Sequence, residues 1–239
     1  FYLLLVNSFK WSKEIVVNPW IPMGGLHFTN YVKAGEQIVR PMFNSLIVTV
    51  CVIALVVFVS TLAAYAFIRF KFFASGLLYI GIVAMLMIPG FVLLIPQFIQ
   101  INQLGMYNTF AGLIFPPAAA GAATGTFLLK SSMESISKSL FEAADMEGAG
   151  DLHILSRIVV PLSKPTISTV VIVTGLSAWN NYLWPLVSTS GPETQQITVA
   201  LTKLIRSAIE GDGILFAGYV TASLPLIILF CFASKSFVA

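Results

Sequence analysis

The chain has 239 residues, 57% of them hydrophobic and 10% charged, with a formal net charge of +3. Soluble domains carry about 25% charged residues, so a surface facing water all round is excluded, and the mean hydropathy of +0.90 points to a membrane protein. The 19 Phe exclude a disordered chain, and the small net charge gives no strong attraction to nucleic acid.

In chain order, Phe1–Val6 is apolar but too short to cross a bilayer, and it reads as the tail of a helix whose start precedes Phe1. A signal peptide would need a basic leading region and a small-residue cleavage site. Uncharged intervals then follow between Arg40 and Arg69, Lys71 and Lys130, Lys164 and Glu193, and Asp212 and Lys235. A spanning helix needs roughly 20 apolar residues, so the second interval holds two spans and the others one each. Its break is expected where Pro96, Gln97, Gln100, Asn102, Gln103, Gly105 and Asn108 gather. The expected spans are therefore 44–68, 77–99, 108–130, 166–187 and 213–235, after a partial span at 1–6.

Alternation places Arg69, Lys71, Lys130, Lys138, Arg157, Lys164 and Lys235 on the cytoplasmic side. Lys10, Lys13, Lys33, Arg40, Lys203 and Arg206 fall outside, so orientation rests on the density of charge around Arg69 and Lys71 more than on the count. Cys51 and Cys231 lie in apolar stretches without metal or disulfide spacing and read as buried hydrophobes. Gly121 and Gly125, amid Ala118–Ala120, Ala122 and Ala123, form a small-residue face suited to close helix packing. Pro89, Pro96, Pro116, Pro117, Pro185 and Pro225 are expected to bend or end helices. Apart from Lys130 and Lys235 at their very ends, no expected span contains Asp, Glu, Lys, Arg or His. Proton relays and voltage sensors keep such groups at membrane depth, so a transported solute would be neutral and the energy would come from elsewhere.

The cytoplasmic loop 131–164 holds a short amphipathic helix over 139–149, with Leu140, Phe141, Ala144 and Met146 near one face. Ser135 and Ser139 are N-cap candidates, Ser139 standing three before Glu142 as in a capping box. Gly148 and Gly150 are placed to end it with positive φ. Such a helix either lies on lipid headgroups or docks into another protein's groove, and its amphipathicity alone leaves both open.

The run Glu142-Ala143-Ala144, then Gly148, Ile158 and Pro161 resembles the EAA loop of ABC importer permeases, EAA–x3–G–x9–I–x–L–P, departing only at Val160 where Leu is usual. Asn44-Ser45-Leu46, Ala63-Ala64-Tyr65-Ala66-Phe67, Arg69-Phe70-Lys71-Phe72, Gly105-Met106-Tyr107-Asn108-Thr109 and Trp179–Leu186 are similar to the maltose-type carbohydrate branch, in particular its MalG-like subunits. The resemblance covers nearly the whole chain. It implies an all-α polytopic membrane protein: a six-helix type I ABC importer permease bundle forming one domain over 1–239, its first helix truncated, with a cytoplasmic EAA coupling helix. It also implies a multi-pass place in a bacterial or archaeal cytoplasmic membrane.

The partners implied are a second related permease, two ATP-binding subunits and an extracytoplasmic solute-binding protein, all working in the lipid bilayer without nucleic acid. No GxxxxGK[ST] loop is present, so this chain is expected to bind no cofactor and to be no enzyme, with ATP and Mg2+ on the partner subunits. By resemblance, ATPase coupling falls to Leu140, Phe141, Glu142, Ala143, Ala144, Asp145, Gly148, Ile158 and Pro161.

Trp179, Asn180, Asn181 and Tyr182, with Trp184 nearby, are candidates for a sugar path, since rings stack on sugar faces and amides bond hydroxyls. An aromatic belt at the membrane interface is the competing reading. The outer segment 189–212 would face the binding protein by resemblance, although Lys203, Arg206 and Glu210 also suit a solvated face. A permease for another small solute such as a glycerol phosphate is the alternative; an intramembrane enzyme lacks its ionisable residues, and a purely structural subunit would not need the EAA loop.

Overall fold

The computed structural model describes residues 1–22, 24–207 and 212–238 and is built of helices. Glu210 and Ala239 lie outside the described residues. Two short helices, α1 (Tyr2–Ser8) and α2 (Ser12–Val17), precede the central α3 (Thr29–Arg69). Then come α4 (Ser75–Leu86), a 3-10 turn at Gly90–Leu93, α5 (Leu94–Gln103), α6 (Phe110–Met133) and α7 (Lys138–Met146). The short α8 (Asp151–Ile154) runs through a π-helical turn at Leu155–Val159 into α9 (Val160–Leu162), followed by α10 (Lys164–Trp179), α11 (Leu183–Ser188), α12 (Ile197–Ser207) and α13 (Asp212–Val238).

At 41 residues, α3 is about 60 Å long, roughly twice the hydrocarbon thickness of a bilayer. It begins well before the expected start at 44, because Lys33, Glu36 and Arg40 belong to an extramembrane extension of the same helix. Its buried side follows a three-to-four residue spacing through Ala34, Ile38, Pro41, Ser45, Val48, Val52, Val56, Ser60 and Ala64. Its exposed side carries Phe43, Ile47, Val50 and Phe58. Small and hydroxylated residues inside, large apolar ones outside, invert the soluble pattern and fit a helix packed on its neighbours and bathed in lipid.

Helices α6, α10, α12 and α13 pack on α3, and α1 packs on α13. The GxxxG face is the α3–α6 seam: a Cβ on Gly121 would sit 2.7 Å from a Val56 methyl, and one on Gly125 2.8 Å from Ser60 Cβ. One apolar cluster joins Val48, Val56, Leu113, Leu129, Met133 and Val159, and a second joins Ala34, Ile38, Trp179, Ile197 and Leu204.

Among the described residues, α3 and α6 are long and apolar enough to cross a membrane, and the count is up to 4 if each of two bent helix pairs forms one span. A shorter apolar helical stretch, Gly213–Ile228, lies in α13. The stretch expected as 77–99 is interrupted, with α4 and the Gly90–Gln103 segment meeting at 98°. The interruption falls at Pro89, whose backbone is extended (φ −60°, ψ 127°), not at Pro96. Pro96 sits in the first turn of α5, where its missing N–H has no helical partner to lose. The stretch expected as 166–187 likewise stops at Trp179 and resumes at Leu183.

Candidate functional site

Two regions carry the candidate residues. At the Arg69 end of α3, the hydroxyl of Ser137 accepts from the Ser139 N–H at 3.3 Å, so Ser137 is the N-cap of α7. The expected caps, Ser135 and Ser139, do not serve: Ser139 is already inside the first turn, and its box with Glu142 is not formed. The helix ends in a Schellman motif, with the Ala149 N–H donating to Ala144 O (2.9 Å) and the Gly148 N–H to Asp145 O (3.0 Å). Gly148 takes φ +76° to close it. Gly150 is not left-handed; the chain has already turned, and Gly150 instead caps α8 with an extended backbone.

The apolar side expected on α7 is split in two. Ala144 is buried and Phe141 half-buried against the main cluster, whereas Leu140 is 43% and Met146 89% exposed. On a helix the i and i+4 positions share a face, so Leu140 stands at the edge of the packed side beside Ala144, whereas Met146 points to the opposite side. Glu142 and Ala143 join that outward side. Ile158 packs against the main cluster from the π-helical turn, and Pro161 is exposed in α9.

The inward side of α7 is locked by Arg69, the last residue of α3. Its guanidinium donates two hydrogen bonds to Asp145, at 3.0 and 2.5 Å, and a third from Nε to Asp151 at 2.9 Å. Tyr65 donates to the same Asp151 oxygen at 3.0 Å, and the Phe141 ring lies 6.0 Å from the Arg69 carbon. These bonds from Arg69 and Tyr65 hold the Asp151 carboxyl below the usual carboxylate range. A forked, charge-assisted contact of this kind fixes orientation as well as distance. The end of α3, the body of α7 and the start of α8 thereby form one unit.

The second region is a cavity of about 390 Å³ where two helix interruptions meet the middle of α6. Gly90–Gln97 forms one wall, α6 from Pro116 to Leu128 the floor, and α10 with Asn181 and Trp184 the other wall. Pro116 has no N–H to give to Gly112 O. The indole N–H of Trp184 takes that place at 3.0 Å, sewing α11 to α6.

Of the four residues expected on a sugar path, only Asn181 lines this cavity. Trp179 is buried in the second apolar cluster, since α12 covers it through Ile197 and Leu201. Asn180 is exposed and returns its amide to Leu176 O at 2.9 Å. Tyr182 is half-buried at the entrance to α11 and takes no part in the lining. The sequence reading missed Gln97, Thr124, Thr174 and Ser177, which do line it. The available signal was a polar side chain inside an otherwise apolar span.

Residues 56–239 match the family described as binding-protein-dependent transport system inner membrane component. Similar proteins include the probable ABC transporter permease protein YurM of Bacillus subtilis, 34% identical over 237 residues (98% of this chain, 79% of that protein). The diacetylchitobiose uptake system permease protein NgcG of Streptomyces coelicolor is 30% identical over 232 residues (95% and 77%). The arabinooligosaccharides transport system permease protein AraQ of Bacillus subtilis is 28% identical over 244 residues (100% and 86%). Among solved structures, a chain of a bacterial ABC transporter that imports the acidic polysaccharide alginate shares the fold, with TM-score 0.86, 22% identity and coverage of 99% and 89%.

The chain belongs to the family of binding-protein-dependent transport system inner membrane components. It is the permease of an ABC importer, a multi-pass membrane subunit that is not itself an enzyme and that works with an ATPase and a binding protein.

Proposed function

We propose that this permease moves a neutral sugar or oligosaccharide by alternating access, coupled through α7 to a separate ATPase subunit. The observation that carries the coupling is the locked geometry of α7: Asp145 is held to Arg69 while Ala143 and Met146 face away from the bundle and Leu140 is exposed at the edge between the two sides. A helix fixed on one side and apolar on the other is a lever with a free docking face. Closure of two ATP-binding subunits would push that face, and Arg69 would pass the displacement to α3 as a rigid-body movement. ATP and Mg2+ would reside wholly on those subunits.

The cargo assignment draws on relatives named for diacetylchitobiose, for arabinooligosaccharides, and for melibiose, raffinose and stachyose. The cavity adds a chemical reason, since among the described residues no Lys, Arg, Asp, Glu or His lines it. An anionic cargo such as a glycerol phosphate would have no counter-charge there. The exposed apolar residues around the broken α4–α5 segment, among them Leu77, Ile80, Phe91 and Ile95, suit a second, related permease closing the pathway from the other side.

The test is purification of the tagged chain from its native membranes in mild detergent. Co-recovery of a second permease and an ATPase, with hydrolysis stimulated by a sugar-loaded binding protein, is the expected result. Recovery of the chain with no ATPase would overturn the coupling assignment.

A further inference from the structure

The segment that joins the lever to α10 is broken twice within a few residues. An unbroken α ladder through it would need Pro161 to donate to Arg157 O and Pro165 to donate to Pro161 O, and neither proline has an N–H. The first loss falls beside the π-helical turn at Leu155–Val159, where the Val160 N–H reaches back five residues to Leu155 O. The second falls beside a break at Ser163, across which Asp151–Leu162 and Lys164–Trp179 meet at 76°. Two backbone bonds still cross the break, Ser163 N–H to Val159 O and Ile167 N–H to Ser163 O, both at 2.9 Å. A wide turn next to a proline bend is where a helix changes direction, and π turns recur at functional sites.

Ser163 supplies a second, independent observation. Its residue is 1% exposed, and its hydroxyl has no hydrogen-bond partner among the described residues. Ser60, Ser156 and Thr169 each return the hydroxyl to the carbonyl four residues earlier, at 2.6, 2.7 and 3.1 Å, the usual way to satisfy such a group inside a helix. Ser163 has the Val159 and Val160 carbonyls behind it and bonds neither at this bend. Thr49 and Thr61 are also buried without a partner, but both lie in the unbroken body of α3. An enclosed hydroxyl left unpaired disfavours the arrangement that leaves it so, and at a bend the backbone itself can move to satisfy it.

The two sides of the break belong to different parts of the molecule. Asp151, at the start of α8, is held by Arg69 with α7 and the end of α3, whereas α10 forms a wall of the cavity through Val170, Val173 and Thr174. Ile154 and Val159 are fully buried, while Ser156, Arg157, Pro161 and Leu162 are exposed, so one side of the segment is packed and the other has room to change shape. Resting on the reading of α7 as the lever of an ATPase-coupled permease, we infer that Leu155–Ser163 is a joint between the lever and α10, with Ser163 as its positioning residue. When the ATPase closes, the bend straightens, the Ser163 hydroxyl bonds back onto the preceding turn, and α10 rotates relative to the lever. In the arrangement described here that bond is unmade, so the joint is poised toward the other state.

The experiment uses the intact importer in proteoliposomes, with radiolabelled diacetylchitobiose, arabinotriose and raffinose as probes. Hydrogen exchange over 155–163 is read without nucleotide and with ATP plus vanadate, and the wild type is expected to differ several-fold between the two. Ser163→Ala removes a bond made in only one state, so uptake should fall roughly three- to tenfold with the sugar KM unchanged and the unfolding midpoint not lowered. Thr49→Val, which removes an equally buried and unpaired hydroxyl from an unbroken helix, should keep wild-type uptake. Pro161→Ala restores an N–H for Arg157 O, so exchange should become slow and equal in both states and stimulated hydrolysis should be lost while the ATPase still co-purifies. Wild-type uptake by Ser163→Ala, or identical exchange of the wild type in both states, would overturn the joint while leaving the sugar permease standing. A wild type that moves none of the three sugars, with exchange still differing between the states, would overturn the sugar reading and support the joint.

Discussion

The coupling end and the cavity of this permease are built on opposite plans. On the packed side of α7 the polar groups are spent internally: Asp145 and Asp151 on Arg69, Tyr65 on Asp151, and the helix-end carbonyls in a Schellman turn. The cavity instead keeps Thr174, Ser177 and Gln97 unspent. The first region is tied to the bundle by these bonds, which is what the proposed lever requires. The second keeps polar side chains without internal partners, which on the proposed reading leaves them for the solute. The two regions lie apart in the bundle and are joined by α3, which reaches Arg69 at its end and lines the cavity with Val52.

The largest effect is expected from Gly148→Asp. It forces a side chain into φ +76° at the Schellman turn, which costs about 1–2 kcal/mol for a residue with a Cβ, and it sets a charge beside the docking face. Uptake should fall to background while the chain still inserts, as measured by transport and by membrane-fraction immunoblot. Full uptake by this variant would break the lever half of the comparison.

Gly125→Leu tests the seam between the two regions. Its Cβ would meet Ser60 at 2.8 Å, and overpacking of that kind costs about 1–3 kcal/mol. A drop of several degrees in the unfolding midpoint of the purified complex is expected, with uptake reduced in proportion to the folded complex recovered.

Trp184→Phe removes the indole N–H that replaces the missing bond at Pro116. Leaving Gly112 O without a partner should cost about 1–2 kcal/mol and widen the cavity, seen as faster hydrogen exchange at 180–188. Exchange confined to α7 instead would contradict the separation of the two regions.

Arg69→Ala is expected to have the smallest effect on stability. Its ion pairs are partly solvated, with Asp145 and Asp151 side chains 45% and 46% exposed, so about 1 kcal/mol is expected. Its effect should appear locally, as faster exchange over 138–149 and a several-fold loss of uptake with the sugar KM unchanged. A changed KM would mean the two regions are not separable.

The contrast also explains what could be read from the sequence. The EAA loop is contiguous, so its helix, its terminating glycine at Gly148 and its place between spans were legible from residues 138–161. Its inward side was not, because the partner of Asp145 lies 76 residues away at Arg69. The alternation of charged and uncharged stretches placed α3, α6, α10 and α13, since hydropathy is a local property. The break at Pro89 was invisible to it, because Met87 and Ile88 before it and Phe91 and Val92 after it are equally apolar. The cavity was legible only at Asn181, since its walls come from segments between Val52 and Trp184 that the fold alone brings together. Trp179 misled for the same reason: an aromatic near an outer helix end suits a sugar, a lipid boundary or a core, and only the packing of α12 decides for the core.

The most direct test of the account is the ATPase rate of the purified importer, wild type against Gly148→Asp, with and without a sugar-loaded binding protein. The account predicts several-fold stimulation of the wild type by the loaded binding protein and none of the variant, although both permeases are present in equal amount. Equal stimulation of the two would contradict the assignment of α7 as the lever through which this permease and its ATPase are joined.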